Sequence, residues 1–342
     1  MKVVKVLTCG FLIADIVVAG LNKVADPGEV IFVPKGVRVS VGGHPANIAI
    51  DLVKLGMPPN DIGVSGAIGD DIFGDFIEHT LESHGIRLFL QKIKDGTDKN
   101  VILVVKDEDR RFHIELSASQ RYSPSLILEL IEKLRPRLFY LASGILDLVD
   151  KNIATIFRKA KELGAITFAD VIKPYGKGWD YIIPAMHYID VFHCNDLEAR
   201  GIVKAINLEE AIDSLMNLGA KLIFITMGER GAIGASKSLR VYQRAFKVDV
   251  VDPTGAGDAF CAGIIYKLIE MGFTRDKEIV DMEEDYVKKI MLYAQAVGAS
   301  ACTAPGTTRG VSKEKVRRLI DEQGEEILSR SIVSRLSTSY TQ

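Results

Sequence analysis

Residues 250 to 263 read VVDPTGAGDAFCAG, a run of small residues placed directly before an acid and followed by an apolar stretch. The preceding FKVDVVD (246–252) reads as a strand, Pro253 ends it, and GDAFCAGIIYKLIEM continues as a helix with Ala259, Ala262, Gly263 and Ile264 at packing positions. Gly255, Ala256 and Gly257 then stand at a helix N-terminus. Backbone amides there lack intrahelical acceptors and the helix dipole adds positive charge, so small residues let an anion come close. Asp258 falls in the first turn, where it either complements the dipole or receives a proton from a hydroxyl attacking a phosphoryl group held by those amides.

Outward from this stretch, short apolar runs alternate with amphipathic helical segments: VKVLTC, IGVSGAI, RLFYLA, AITFAD, DVFHC and KLIFIT. Such alternation predicts an α/β fold with a central, mostly parallel sheet flanked by helices on both faces. Residues 16–43 and 97–117 break the rhythm and read as β without helices; KNVILVVKDEDRRFHIEL has the form of a hairpin with a charged turn. Together they predict a small β lid over the main sheet, within one domain spanning residues 1–328. The tail from 329 to 342 is polar and is expected to add no regular structure.

Composition narrows the partners. Lys and Arg number 43 against 45 Asp and Glu, a net charge of −2 spread along the chain, which leaves no footprint for nucleic acid or an anionic membrane. A small-molecule ligand is the expectation. The cysteines, Cys9, Cys194, Cys261 and Cys302, are widely spaced, so they predict free thiols in a reducing, cytoplasmic setting and no zinc site. Lys2 and Lys5 before VLTCGFLIADIVVAG imitate a signal peptide, but Asp15 interrupts the run, and a buried first strand ending at Gly10 fits its β-branched residues better.

Three other stretches carry chemistry-bearing residues. VGGHPANIAIDLVKLG sets Gly42 and Gly43 at the end of a β segment and Asn47 in the first turns of a helix; alone it is also an ordinary strand-to-helix turn. NDLEA places Asn195 and Glu198 three apart at a helix start, able to order Mg²⁺ or water around phosphates, or simply to cap the helix. FITMGERGAIG follows a strand with Gly228 and Gly231, a loop suited to a nucleotide phosphate and equally to a plain hairpin.

In this order and spacing, GGHPANIAIDLVKLG and DPTGAGDAFCAGII resemble the two signatures of the ribokinase-like, or PfkB, family of carbohydrate kinases, and the resemblance runs from about Lys2 to Ile327. It implies ATP-dependent phosphorylation of a hydroxymethyl group on a sheet-and-lid fold. Under it Asp258 is the catalytic base and Gly255, Ala256 and Gly257 form the anion hole. Asn195 and Glu198 match the motif for Mg²⁺ and phosphate, Glu198 indirectly. Thr226, Gly228 and Gly231 lie near the nucleotide, and Asp15, Gly42, Gly43 and Asn47 grip the substrate. Asp252 and Thr254, with carbonyls near Ala301, Ala304 and Gly306, resemble a monovalent-cation site, with K⁺ as its ion.

Departures bear on the substrate. Ile13 stands where ribokinase itself has Asn, which argues against ribose, and Asp170, Ile172 and Pro174 in ADVIKP replace a D-x-N-x-R motif common in sugar kinases. Lys99, Arg110 and Arg111 near the lid, and His44 in the first signature, are either substrate contacts or solvated surface. A nucleoside kinase is the rival on the same fold, with Phe11, Phe32 and Phe112 as residues to stack on a base; a non-catalytic sugar-binding regulator is the third reading. The uninterrupted apolar run Val101–Val105 predicts burial on both faces, hence a homodimer joined through the lids.

Overall fold

The apolar runs become strands because each carries branched or aromatic side chains toward both faces of a sheet covered by helices. In chain order the strands are β1 (Val6–Cys9), β2 (Ile13–Leu21), β3 (Val37–Gly42), β4 (Ile62–Gly69), β5 (Arg87–Ile93), β6 (Asp98–Val105), β7 (Arg111–Glu115), β8 (Leu138–Ser143), β9 (Ile166–Val171), β10 (Val191–Asn195), β11 (Leu222–Thr226), β12 (Ala232–Ser236), β13 (Leu239–Gln243) and β14 (Ile332–Arg335). The helices are α1 (His44–Lys54), α2 (Ile72–Ser83), α3 (Pro124–Leu134), α4 (Asp147–Lys151), α5 (Ile153–Glu162), α6 (Asp196–Val203), α7 (Leu208–Asn217), α8 (Ala256–Glu270), α9 (Glu284–Ala301) and α10 (Lys313–Ser329). This computed structural model describes residues 4–106, 108, 110–273, 279 and 282–335.

The main sheet has ten strands in the order β14-β13-β12-β11-β10-β9-β8-β1-β4-β5, and those from β11 to β5 run parallel. Parallel crossovers are right-handed, so connections advancing in opposite directions lay their helices on opposite faces. The α2 connection steps from β4 to β5, whereas α5 steps from β8 to β9 and α6 and α7 from β10 to β11 the other way, which covers both faces. Strands β1, β4, β8 and β9 are buried throughout. The expected fold class is therefore present.

The second sheet, β3-β2-β6-β7, is the small lid, built from the two stretches that broke the helical rhythm. Its hairpin forms as expected, although Asp107 and Asp109 of the turn lie outside the described residues. Paired residues on adjacent strands share a face, so the register sorts the side chains. Ser40, Asp15, Asn100 and Ile114 form one rung, with Arg38, Val17, Ile102 and Phe112 the next, on the face that includes the buried Asp15, Asn100 and Ile102. The opposite face carries Val39, Ile16, Val101 and His113, then Val37, Val18, Leu103 and Arg111.

Two expectations change. FKVDVVD is extended but joins neither sheet; Val251 and Asp252 donate to the Cys302 carbonyl, and Lys247 exchanges hydrogen bonds with the Gln323 side chain. Phe246 is buried and Val248 packs against the core, but no strand lies beside them, and Val250 and Val251 are exposed. In the tail, expected to add no regular structure, β14 pairs with β13 over Ile332–Arg335 and Val333 packs against the core; residues 336–342 lie outside the described residues. No helix among the described residues is long and apolar enough to cross a membrane.

Candidate active site

Parallel strands deliver their C-terminal ends to one crevice, and ligands settle where the strand order changes direction. Here β1 is that point, flanked by β8 and β4. The chain leaves β1 through Gly10 into the lid, while β9, β10 and β11 end beside Asp170, Asn195 and Thr226. The signature residues gather around this rim from distant parts of the chain.

Asp258 is the buried centre of the group. Asn47 Nδ2 donates to its Oδ2 at 2.7 Å, and His44 Nε2 lies 3.3 Å from its Oδ1. Burial raises the Asp258 pKa above the usual carboxylate range, opposed by the His44 charge and the Asn47 hydrogen bond. For His44 burial acts downward, yet the carboxylates of Asp258, Asp170 and Glu198 outweigh it and raise its pKa. His44, read from sequence as either contact or solvated loop, is thus the first residue of α1 and packs edge-on against Phe11, 5.1 Å between ring centroids. Asn47, expected to grip substrate, holds the carboxylate of Asp258 through Nδ2, and its own Oδ1 has no hydrogen-bond partner among the described residues.

The turn before α8 is set by Gly255 at φ 81°, a left-handed conformation, and a side chain there would run into the Thr307 backbone. Of the amides expected to form the anion hole, that of Ala256 donates to the Pro253 carbonyl at 3.2 Å and closes the turn. The amides of Gly255, Gly257 and Asp258 have no backbone acceptor among the described residues. They are the donors left for an anion.

On the lid, Asp15 accepts from Asn100 Nδ2 at 2.9 Å, and burial with the nearby charges of Asp258 and Asp252 pushes its pKa up to about 6, against the lowering effect of Asn100. Gly42 must lack a side chain because a Cβ would overlap the Asp15 carboxylate, and Gly43, at φ 92°, because a Cβ would overlap the Phe11 carbonyl. The two glycines therefore let the lid strands close onto Asp15 and α1 begin. Ile13 is buried on the same face as Asp15, two residues away, so the missing Asn leaves an apolar neighbour. Asn100 escaped the sequence reading; its alternation with Asp98 and Ile102 was the available signal.

Asn195 and Glu198 form a reciprocal capping box at the start of α6, each side chain accepting the other's backbone amide at 2.8 Å. The second Glu198 oxygen has no hydrogen-bond partner among the described residues, and burial raises the group's pKa, the Asn195 amide opposing. Two residues earlier on β10, His193 Nδ1 sits 2.9 Å from Asp170 Oδ1, and Tyr140 donates to the other oxygen at 2.8 Å. Burial would raise Asp170, but the charge and hydrogen bond of His193 hold its pKa low. His193 Nε2 lies 3.4 Å from Thr226 Oγ1, and its Cε1 would be 3.8 Å from a Cβ on Gly257, so it occupies the space between the β11 end and the α8 turn. The FHCN alternation could have pointed to it. Gly228, at φ 60°, opens onto free space, whereas Gly231, at φ 103°, is required by close approach to the Gln243 carbonyl.

The lid cations divide. Lys99 bonds the Thr97 carbonyl and Glu115, Arg111 pairs with Glu108, and both project from the outer face. Arg110 alone among these reaches the loop before α8, at Asp252 and Thr254. Phe11 packs against His44, Phe32 is almost fully exposed, and Phe112 is half-exposed on the inner lid face with the Arg110 guanidinium beside its ring.

The family model described as pfkB family carbohydrate kinase matches residues 6–314. Among curated proteins, an ATP-dependent 6-phosphofructokinase of Thermoanaerobacterium thermosaccharolyticum is 28% identical over 254 residues, 70% of this chain and 75% of that protein. A fructokinase of Salmonella typhimurium is 26% identical over 282 residues, 78% of this chain and 86% of that one. In structure, ribokinase from Giardia lamblia superposes with a TM-score of 0.81 at 21% identity, covering 94% of this chain and 99% of that chain.

Proposed function

Because this chain belongs to the pfkB family of carbohydrate kinases, we propose that it transfers the γ-phosphoryl group of ATP to a hydroxymethyl group of a sugar or sugar-like acceptor. The observation that carries this reading is the buried Asp258 carboxylate, held by Asn47 and His44 at a helix start whose Gly255 and Gly257 amides are free for an anion. The acceptor hydroxyl passes its proton to Asp258 as its oxygen bonds to the γ-phosphorus, while the bond from that phosphorus to the β,γ-bridging oxygen breaks and ADP leaves. A loose phosphoryl-transfer transition state asks for alignment and charge stabilisation more than for a strong base, and the α8 amides supply the latter. Asp15, supported by Asn100, accepts from other acceptor hydroxyls. Mg²⁺ suits the free Glu198 oxygen through water, and once bound it neutralises phosphate charge. Thr226, Gly228 and Gly231 border the nucleotide side. The unpaired cysteines, three of them buried, suit a reducing cytoplasmic compartment.

ATP consumption measured over ketoses, aldoses, sugar acids, sugar phosphates and nucleosides tests this reading; no acceptor-dependent consumption with any of them rejects it. Turnover confined to nucleosides would favour the second reading, for which Phe112 on the inner lid face is the supporting observation.

The Asp15 pKa yields a pH dependence. The group is ionised above about 6 and neutral below, and only the carboxylate accepts fully from acceptor hydroxyls. Acceptor kcat/KM should therefore rise with pH up to about 6 and level off. Stability should move oppositely, falling as pH rises from the ordinary aspartate value near 4 to about 6, because the folded chain holds the proton more tightly than the unfolded one. In Asp15→Asn the acid limb of the rate profile should shift away from 6; an unmoved limb assigns it elsewhere.

The homodimer follows from the outer lid face. Ile16, Val18, Val37, Val39, Val101 and Leu103 form an aliphatic patch there, none of them buried. Covering such area is worth ~25 cal/mol per Å², and a second copy's lid is the cover this reading assigns. The apolar run of β6 is apolar for two reasons: Ile102 and Val104 face the site, and Val101 and Leu103 face the partner. Light scattering with size exclusion should give twice 37.5 kDa, falling to the single mass in Val101→Lys or Leu103→Lys. A wild-type mass of 37.5 kDa at micromolar concentration rejects the dimer.

A further inference from the structure

Asp252 and Thr254 were expected to help hold a monovalent cation, but donors that include a guanidinium of the chain already engage both carboxylate oxygens. Asp252 Oδ1 accepts from the Thr254 amide at 3.0 Å, from Thr254 Oγ1 at 2.6 Å and from Arg110 Nη1 at 3.2 Å; Oδ2 accepts from the Gly306 amide at 2.9 Å. Thr254 Oγ1, having donated its proton to Asp252, accepts in turn from Arg110. The charge opposite Asp252 is thus a guanidinium belonging to the chain, and each side chain of the pair is about one-fifth exposed. The Arg110 Cζ also lies 5.6 Å from the centroid of the Phe112 ring, which restrains the guanidinium plane. These residues do not fit a monovalent ion while Arg110 is in place.

The two ends of this contact belong to different parts of the site. Arg110 directly precedes β7, which pairs with β6 from Leu103–Arg111 to Lys99–Glu115, so the hairpin moves as one piece. β6 carries Asn100, which holds Asp15. Asp252 and Thr254 belong to the loop that ends at Gly255, where the free amides begin. One hairpin therefore joins the acceptor grip to the phosphate cradle.

We propose that Arg110 is a positioning residue: it supplies, from the lid, the fixed positive charge for the Asp252–Thr254 loop, and so makes the geometry of the α8 turn depend on the lid being seated while making the protein independent of K⁺. The proposal rests on the kinase reading above. Replacement of the guanidinium misplaces the amides relative to the acceptor hydroxyl, which lowers turnover more than it weakens ATP binding.

The test compares Arg110→Met, Arg110→Lys and wild type on the acceptor found by the screen, in Na⁺, K⁺ and tetramethylammonium salts, with amide hydrogen exchange on the protein without substrates. Wild type should turn over equally in the three salts. Arg110→Met should lose on the order of 10-fold in kcat, with ATP KM changed little, and should recover part of the loss in K⁺, because Asp252 is then open to an ion. Arg110→Lys, keeping the charge without the planar guanidinium that lies against the Phe112 ring, should fall between. Exchange should accelerate in Arg110→Met both in the hairpin and in residues 252–257, at unchanged Tm. Acceleration confined to the hairpin, unchanged kcat, or a wild type that needs K⁺ would each overturn the proposal. The exchange arm requires no turnover, so a failed kinase reading is told apart from a failed Arg110 assignment.

Discussion

Asp258→Asn should lower kcat on the order of 10²-fold or more while leaving the KM for ATP nearly unchanged. The amide has the shape of the carboxylate, so the contact with Asn47 at 2.7 Å keeps a carbonyl oxygen as acceptor, and the α8 turn keeps its glycine-built form. What disappears is the site that takes the acceptor's proton, together with a negative charge beside His44. Burial raises the Asp258 pKa, so the folded chain bears a cost for keeping the group ionised. A neutral side chain relieves that cost, and thermal unfolding should show a Tm equal to or above that of wild type. Lost turnover with retained Tm isolates the chemistry. If the variant keeps kcat within a few-fold of wild type on the acceptor identified by the screen, Asp258 is not the base and its role is to complement the helix dipole.

Asp15→Ala should raise acceptor KM on the order of 10- to 10²-fold with little change in ATP KM. A hydrogen bond to a charged acceptor contributes about 1.5–3 kcal/mol, which is roughly that factor for one lost bond. Asp15 lies on the inner lid face beside Ser40 and Asn100, across from the helix start that carries Asp258, so its removal touches the acceptor and not the Thr226 side of the site. The substitution also leaves Asn100 Nδ2 without its partner, a structural consequence that Asp15→Asn avoids by keeping an oxygen opposite that donor. The pair of variants separates the effects: a KM increase in both assigns the loss to the charge, and one confined to Asp15→Ala assigns it to the lid's internal hydrogen bond. Equal changes in the two substrates' KM values, or none, place Asp15 outside the acceptor site.

Both predictions depend on contacts of very different legibility. The α8 turn could be read directly, because glycine at a left-handed position and an acid in the first turn are local requirements of a helix start. The alternating strands and helices were legible for the same reason, since hydrophobic periodicity reports which face an element buries. The same logic misread FKVDVVD, whose branched residues have strand propensity yet find no strand beside them, and it overlooked β14, where Ile332 and Val333 are too short an apolar run within a polar tail to signal a strand. Propensity concerns one segment; pairing requires a second one at the right place.

The amino-acid sequence alone determined the α/β fold class with its second β unit and the family signatures, because each follows from short-range pattern or from motif spacing; the roles expected of Asp258, Asp15, Asn195 and Glu198 come with the family resemblance those signatures carry. Which partners those residues have was decided only in three dimensions. Asn47 meets Asp258 across 211 positions and Arg110 meets Thr254 across 144, and no periodicity of either segment encodes such a meeting. The continuous apolar run of β6 likewise could not disclose that Ile102 turns inward and Val101 outward, since the strand's two faces acquire different meanings only when β2 and β7 flank it and the lid is laid over the sheet. Local chemistry is written in neighbouring residues; the surroundings that raise the pKa of Asp15, hold Asp258 in place and set a guanidinium against Asp252 exist only once tertiary folding has brought separate segments together and excluded water from between them.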